Sequence, residues 1–229
     1  MAIRQIYVPT NSHIKIFEIE FEWFPGFSII QKQKSVNSLH KASVKIPEIE
    51  RLLEVSTKSE IEIGKAMSAF NLKIEKDDAL YSLESIYQGS KKFRNGGPYI
   101  DIYKKFAIDA KKDQRLINSG DFMSYEFEGE TWASEPFKSF YTWIYILGLQ
   151  NYARDKFDSL NGLIDQLLVY DAFTDIEFNH KKSINCQAYS TAFLLYLYKS
   201  DNLEVIENKE YFIEIISNCD YIQGQSSLI

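Results

Sequence analysis

Glu84, Gln88 and Lys91 are the residues whose types and spacing most suggest chemistry in this chain. At about 100° per residue, a helix through this segment places all three in a narrow arc, beside an apolar stripe that contains Leu83 and Tyr87. A carboxylate, an amide and an amine at the margin of such a stripe can line a polar pocket. They can equally form a solvated rim, and Glu84 with Gln88 alone, at i and i+4, is ordinary helix surface.

A second concentration of polar residues lies in the connector from Tyr170 to Gln187, which has no regular periodicity. Asp171 and Asp175 flank the aromatic Phe173, and Asn185 lies near the end of the segment. Aspartate and asparagine routinely serve only as caps and turn residues. A polar loop of this length inside a compact domain is more often functional, so both interpretations stay open.

Several common catalytic motifs are absent from the sequence. Gly64-Lys65 lacks the preceding glycine that a phosphate-binding P-loop needs, because that position is Ser59. There is no GxGxxG, GxSxG or HExxH pattern. The 3 histidines lie in unlike contexts, and the 2 cysteines form no CxxC pair. The sequence therefore predicts no metal and no cofactor, and carboxylates, amides and amines remain for chemistry.

Composition and charge limit the function classes further. The 229 residues are 45% hydrophobic and 15% aromatic, which is enough to bury a sizeable core. The net charge of −6 argues against a non-specific nucleic-acid binder, since neutralising phosphates needs a broad basic surface. The first residues form no apolar signal segment, and the apolar run Phe140–Leu149 is too short to cross a bilayer. We expect a cytoplasmic protein that does not bind membranes.

The pattern of elements predicts an α+β protein dominated by helices, with a small sheet or hairpins. We expect a single domain over residues 1–229, with a core from about 15 to 200 and a C-terminal helix at 203–218. Clean alternation of apolar and polar residues predicts a strand at 14–23. The same alternation around a Glu-Gly pair predicts a β-hairpin from Phe122 to Trp132.

Helices are predicted from apolar periodicity and from start and stop signals. Asp77-Asp78 is expected to cap the helix that carries Glu84 and Lys91, and Asn95–Pro98 is expected to end it. The other predicted helices cover residues 47–53, 101–118, 136 to at least 152, 160–168 and 188–199.

These segments together resemble the NADAR family, which is also called YbiA-like. Met67–Phe70 corresponds to the family's first element, with Ala69 where the family usually has asparagine. Glu84–Lys91 matches the family's Glu-x-x-Tyr-Gln-x-x-Lys helix. Trp132 corresponds to its later tryptophan, and Asp171–Gln187 to its C-terminal segment of aspartate, aromatic and asparagine.

Two longer blocks, Phe21–Ser35 and Tyr170–Ala188, are similar to one branch of this family. Its members are antitoxins found beside DarT-type DNA ADP-ribosyltransferases. The resemblance implies a YbiA-like fold and an N-glycosidase that removes ADP-ribose from guanine bases of DNA. The partners that it implies are ADP-ribosylated DNA, ADP-ribose and a cognate DarT-type toxin.

The resemblance also implies roles for individual residues. Cleavage of an N-glycosidic bond builds positive charge at the ribose C1, which a carboxylate stabilises. Glu84 is the first candidate for this carboxylate and Asp175 the second. Lys91 is the leading candidate for an amine that forms a Schiff base with the ring-opened ribose, and Lys65 is its rival. The candidate substrate-binding residues are Lys65, Ser68, Phe70, Asn71, Gln88, Trp132, Asp171, Phe173, Asn185 and Gln187.

A second hypothesis keeps the pocket and drops the chemistry. In it the protein is a non-catalytic module that binds ADP-ribose or NAD, or an antitoxin that neutralises its toxin by direct contact. Binding and catalysis need the same residue types, so turnover at sub-stoichiometric protein is the observation that separates the two hypotheses.

Overall fold

The computed structural model describes residues 1–136, 138–180 and 186–222. Its helices and strands confirm the predicted α+β class. In chain order the strands and α-helices are β1 (Ala2–Pro9), β2 (Ile14–Phe21), α1 (Ile29–Ser43), β3 (Leu52–Glu54), α2 (Glu62–Ala66), β4 (Lys73–Lys76), β5 (Ala79–Ser82), α3 (Leu83–Gly89), β6 (Lys91–Phe93), α4 (Ala107–Lys111), α5 (Arg115–Asn118), β7 (Phe122–Phe127), β8 (Glu130–Ala133), α6 (Lys138–Phe157), α7 (Leu160–Leu167), β9 (Ala172–Thr174), α8 (Gln187–Lys199), α9 (Lys209–Asn218) and β10 (Asp220–Ile222). Short 3-10 helices cover Ile100–Lys104 and Leu203–Glu207.

The largest sheet in the described part of the chain has 5 strands, in the order β10-β2-β1-β9-β3. β1 and β2 form an antiparallel hairpin, which confirms the strand predicted from alternation at 14–23. β9 pairs antiparallel with β1 and parallel with β3. This sheet brings the end of β3 beside the end of β9, where Asp175 follows.

A second sheet, in the order β6-β7-β8, and the β4–β5 hairpin lie outside the main sheet. The predicted hairpin at 122–132 is confirmed as β7 and β8. Glu128 and Gly129 form its turn with φ values of 52° and 78°, the left-handed conformations that such turns require.

The main core lies between the large sheet and the helices α6 and α8. Phe140, Ile144 and Phe193 are fully buried there. The long helix α6 confirms the aromatic helix predicted to begin at Pro136. No helix of the described residues is long and apolar enough to cross a membrane.

Three predicted helices are wrong or incomplete. Residues 47–53 do not form a helix, since Leu52–Glu54 is strand β3 and pairs with β9. Pairing with the sheet therefore outweighs the helix-start signal of Pro47. The helix predicted at 101–118 is divided into a 3-10 turn and the short helices α4 and α5. The C-terminal helix predicted at 203–218 is likewise divided into a 3-10 helix at Leu203–Glu207 and α9.

The helix that carries Glu84 begins later and ends earlier than predicted. Asp77 and Asp78 form the turn between β4 and β5, with φ values of 49° and 58°, a region that aspartate tolerates. The N-cap is Ser82, whose side chain accepts a hydrogen bond from Ser85 N. The helix ends at Gly89, so Lys91 lies in strand β6.

Candidate functional site

An open cleft of about 350 Å³ contains residues from both predicted concentrations of polar groups. Helix α3 and strand β6 form one side, and the turn after β9 forms another. α4, α6, the start of α8 and the turn at Ala69-Phe70 complete the lining. Segments that are far apart in the sequence therefore meet at this cleft, which is the default candidate for a ligand site.

Glu84, Gln88 and Lys91 form one hydrogen-bonded chain along the cleft. Gln88 Nε2 donates to Glu84 Oε1 over 2.7 Å, and Lys91 Nζ donates to Gln88 Oε1 over 2.7 Å. Glu84 is 6% exposed and Gln88 is 5% exposed, so the helix turns these groups inward rather than towards solvent. The three residues therefore line a polar pocket and do not form a solvated rim.

The ammonium group of Lys91 is enclosed by the cleft wall. Its Nζ lies 4.7 Å from the centroid of the Tyr87 ring. Burial lowers the pKa of Lys91 to about 8, against the opposing effect of the Glu84 carboxylate. Because of this pKa, about a tenth of the Lys91 side chains are neutral amines at pH 7. A neutral amine is the nucleophilic form.

Lys111 is a cleft residue that the sequence analysis missed. Its Nζ lies 3.7 Å from Glu84 Oε1 and 5.6 Å from the centroid of the Phe70 ring. The positive charge of Lys111 also contributes to lowering the Lys91 pKa. A lysine followed by a second lysine in a short helix reads as solvated surface, so the sequence carries no signal for this position.

Asp175 lies in the turn that follows β9 and is 7% exposed. Burial raises the pKa of Asp175 to about 7, although hydrogen bonds from Glu177 N and from the Gln187 side chain oppose the rise. The bond from Glu177 N to Asp175 Oδ1 measures 2.9 Å. Gln187 Oε1 accepts from Ala69 N over 2.8 Å, so Gln187 links Asp175 to the Ala69-Phe70 turn.

Aromatic side chains form much of the remaining wall. Tyr141 packs edge-on against Tyr87 with 5.3 Å between ring centroids, and Phe178 lines the cleft beside the Asp175 turn. Phe70 is 45% exposed at the cleft. An exposed ring at this place is available to stack on a planar base. Tyr141 was not singled out from the sequence because it lies within an aromatic helix that reads as core.

Several residues expected to bind substrate do not line the cleft. Trp132 is 1% exposed and packs in the core against Phe140 and Trp143. Phe173 is fully buried within the sheet. Asp171 accepts hydrogen bonds from Glu50 N and Arg51 N, which places its carboxylate at the outer edge of the sheet.

Three further residues predicted to bind substrate, in the segment before β4, also lie outside the cleft lining. Lys65 pairs with Glu62 over 2.6 Å on the exposed side of α2. Asn71 Nδ2 donates to the carbonyl oxygen of Lys65 over 2.8 Å, and Ser68 is buried behind the turn. None of these side chains lines the cleft. Asn185 lies outside the described residues.

The groups in the cleft suit acid–base and amine chemistry. Among the described residues, no group of three or more histidine, cysteine, aspartate or glutamate side chains is arranged to hold a metal ion. Three carboxyl groups, of Glu84, Asp175 and Glu177, and two lysines line the cleft. One of these lysines and the aspartate have a perturbed pKa. Such perturbed groups in a cleft are typical of functional sites.

Comparison with known protein families identifies the family of the chain. A model of the DarT1-associated NADAR antitoxin family matches residues 2–226. The chain belongs to this family. The match confirms the resemblance stated from the sequence, and it places the whole cleft of this NADAR antitoxin within the matched range. A search of curated proteins found no match.

Proposed function

We propose that this NADAR antitoxin is a hydrolase that removes ADP-ribose from guanine bases in DNA, and so reverses the modification made by a DarT1-type toxin. Membership of the family supports the antitoxin role. The observation that carries the chemistry is the buried chain from Glu84 through Gln88 to Lys91, which opens into the same cleft as Asp175.

Two carboxyl groups serve the breaking of the N-glycosidic bond. Positive charge that develops at the ribose C1 is stabilised by the Glu84 carboxylate, which Gln88 orients through its amide. Asp175, with its pKa raised to about 7 by burial, exchanges protons near neutral pH. It is therefore suited to transfer a proton to or from water and the leaving amine.

Lys91 offers a covalent route that uses the ring-opened form of the ribose. In that form C1 is double-bonded to the guanine amine nitrogen, and the neutral Lys91 amine adds to C1. Collapse of the adduct breaks the bond between C1 and the guanine amine nitrogen. That nitrogen takes up the proton given up by the lysine nitrogen, and the guanine leaves as an unmodified base that is still part of the DNA. Water then adds to the lysine imine, and ADP-ribose is released as Lys91 returns to an amine.

The rest of the cleft supplies binding groups for such a substrate. Phe70 presents an exposed ring for stacking on adenine or guanine. The ammonium of Lys111, more than half exposed beside Phe70, suits the negative charge of a diphosphate. The position of these two side chains and their chemistry support the two roles.

The form of DNA that reaches the cleft follows from charge and access. With a net charge of −6 the protein is expected to bind unmodified duplex weakly and to find its substrate through the ADP-ribose group. A guanine amine inside a stacked duplex cannot enter a cleft, so single strands or an extruded base are the favoured substrates.

The direct test uses single-stranded DNA that carries one ADP-ribosylated guanine. Protein at about a hundredth of the substrate concentration should release ADP-ribose over many turnovers, measured by chromatography of the free product. Stoichiometric binding without release would instead support the non-catalytic ADP-ribose-binding module. Neutralisation of the toxin without release would support an antitoxin that acts by direct contact. A parallel reaction in EDTA shows whether a divalent ion is needed.

A further inference from the structure

Glu54 is a buried carboxyl group that the proposed chemistry does not use. It is the last residue of β3, and it is 2% exposed. It does not line the cleft. Burying a carboxyl group is costly unless hydrogen bonds compensate, so the partners of Glu54 show what it stabilises.

Those partners belong to the turn that carries Asp175. Ile176 N donates to Glu54 Oε1 and Oε2 over 3.0 and 3.2 Å, and Ser56 Oγ donates to Oε1. The parallel pairing of Glu54 with Thr174 explains the geometry, because a side chain at the end of β3 reaches just beyond the end of β9. Glu54 therefore fixes the first amide after Asp175.

Arg4 holds the other backbone polar atom of the same residue. Its Nε donates to the carbonyl oxygen of Ile176 over 2.8 Å, and Arg4 itself is 9% exposed. The guanidinium group lies 5.1 Å from the centroid of the Trp23 ring, which limits its movement. The backbone N–H of Ile176 is thus hydrogen-bonded to Glu54 of β3, and its backbone C=O is hydrogen-bonded to Arg4 of β1.

The consequence for the cleft is direct, since Ile176 lies between two cleft residues. Asp175 and Glu177 both line the cleft, and the Glu177 amide donates to Asp175 Oδ1. Lys32 Nζ pairs with Glu177 Oε1 over 3.2 Å and lies 4.8 Å from the Trp23 ring. The turn is therefore restrained at both residues that follow Asp175.

We propose that Glu54 and Arg4 are positioning residues, which together fix Ile176 and so set the direction in which Asp175 faces the substrate. The activity part of this proposal rests on the proposed function, whereas the structural part does not. The charged and titratable groups that face Asp175 or Glu54 across this region are Arg4, Tyr7, Tyr141, Tyr145, Glu177 and Cys186.

Hydrogen exchange tests the structural part without any substrate. In Glu54→Gln the amide group replaces one acceptor oxygen by a donor, so the amide of Ile176 should exchange at least about tenfold faster than in wild type. The amide of Phe17 in the β1–β2 hairpin should be unchanged and reports on global stability. Unchanged exchange at Ile176 would overturn the proposal.

A double-mutant cycle tests whether Glu54 acts through Asp175. Glu54→Gln should lower kcat about tenfold or more with KM within about threefold, whereas it should have less than about a twofold effect in the Asp175→Asn background. Glu75→Gln, an exposed glutamate paired with Arg154, is the matched control and should keep wild-type kcat. An equal fractional loss in both backgrounds would mean that Glu54 only stabilises the fold, which contradicts the proposal.

Arg4→Lys gives the same test from the other side and covers the case in which Glu54→Gln does not fold. Lysine keeps the positive charge and loses the Nε donor, so the same faster exchange at Ile176 is expected. The same loss of kcat is expected in the protein that retains Asp175, and less than about a twofold effect in the Asp175→Asn background. Wild-type exchange and kcat in folded Arg4→Lys would overturn the proposal. Absence of turnover in the wild type would defeat the proposed function, and the exchange result would still decide on the positioning residues.

Discussion

Lys91 begins strand β6, yet its ammonium donates over 2.7 Å to the side chain of Gln88 in the last turn of helix α3. The contact joins two secondary-structure elements across the break at Ser90. The position of the amine therefore depends on the helix and on the pairing of Lys91 with Tyr125 in β7. Preorganisation of this kind is what a nucleophile or a binding group needs.

Glu84→Gln tests the carboxylate at the other end of this chain. Glutamine keeps the size and can still accept from Gln88, so the fold should survive while turnover falls by about 10² or more through loss of charge stabilisation. Steady-state release of ADP-ribose measures the effect. Glu62→Gln removes an exposed carboxylate and should leave turnover unchanged; equal turnover in both variants would remove Glu84 from the mechanism.

The sequence predicted which polar groups meet in the candidate site better than it predicted the elements that carry them. A continuous helix from Glu84 to Lys91 was expected, and the three polar groups do meet. They meet because the helix ends at Gly89 and the side chain of Lys91, the first residue of β6, still reaches Gln88, which periodicity does not reveal. Only Glu84 and Gln88 lie together for the predicted reason, which is their spacing in a helix. Lys91 joins them for a reason that the helical spacing does not give.

The remaining differences have a common physical cause. Lys111 and Tyr141 reach the cleft through tertiary packing, and their local sequence looks like ordinary surface or core. Strand β3 is short and exists because it pairs with β9, so a helix-start signal at Pro47 was misleading. Alternation in a hairpin is a local property, and for that reason β2, β7 and β8 were predicted correctly.

Trp132 and Phe70 should differ in what they contribute. Trp132 is fully enclosed by other aromatic rings, so Trp132→Ala should lower the free energy of unfolding by about 3–5 kcal/mol. Phe70 is half-exposed, so Phe70→Ala should change stability little and weaken ADP-ribose binding by about tenfold. Urea denaturation and calorimetric titration measure these two quantities. A stable Trp132→Ala variant with lost binding would return Trp132 to the binding residues.

Asp175→Asn should change the pH dependence of stability in a defined direction. Burial raises the pKa of Asp175 from 3.8 to about 7 in the folded state, so its favourable contribution is complete below pH 3.8 and is lost as the pH rises to about 7. Relative to wild type, the free energy of unfolding of the variant should therefore increase from pH 4 to pH 7. The turnover of the variant should be lower than that of the wild type.

Asp101→Asn provides a control of opposite sign for this measurement. The Arg115 side chain lowers the pKa of Asp101, so the stabilising effect of that carboxylate is lost as the pH falls. Relative to wild type, the Asp101 variant should gain stability towards low pH. A flat difference curve for Asp175→Asn between pH 4 and 7 would show that Asp175 is ionised throughout the range in the folded protein.

Lys91→Ala combined with borohydride trapping decides between nucleophile and binding group. If Lys91 forms an imine with the ribose C1, borohydride should fix ADP-ribose covalently to the wild type, and mass spectrometry should map the adduct to Lys91. Because the pKa of Lys91 is lowered to about 8, the trapping rate should rise about tenfold from pH 6 to 7 and level off above 8. Lys91→Ala should give no adduct and lose turnover.

Lys65→Ala is the matched variant, because Lys65 was the rival amine and its side chain pairs with Glu62 on the exposed side of α2. It should keep both the adduct and the turnover of the wild type. An adduct on Lys65 would transfer the nucleophile to α2 and leave Lys91 as a binding residue that affects mainly KM. Full activity in both lysine variants, with no adduct on either residue, would leave hydrolysis assisted by Glu84 and Asp175 as the surviving mechanism, since those carboxyl groups need no covalent intermediate.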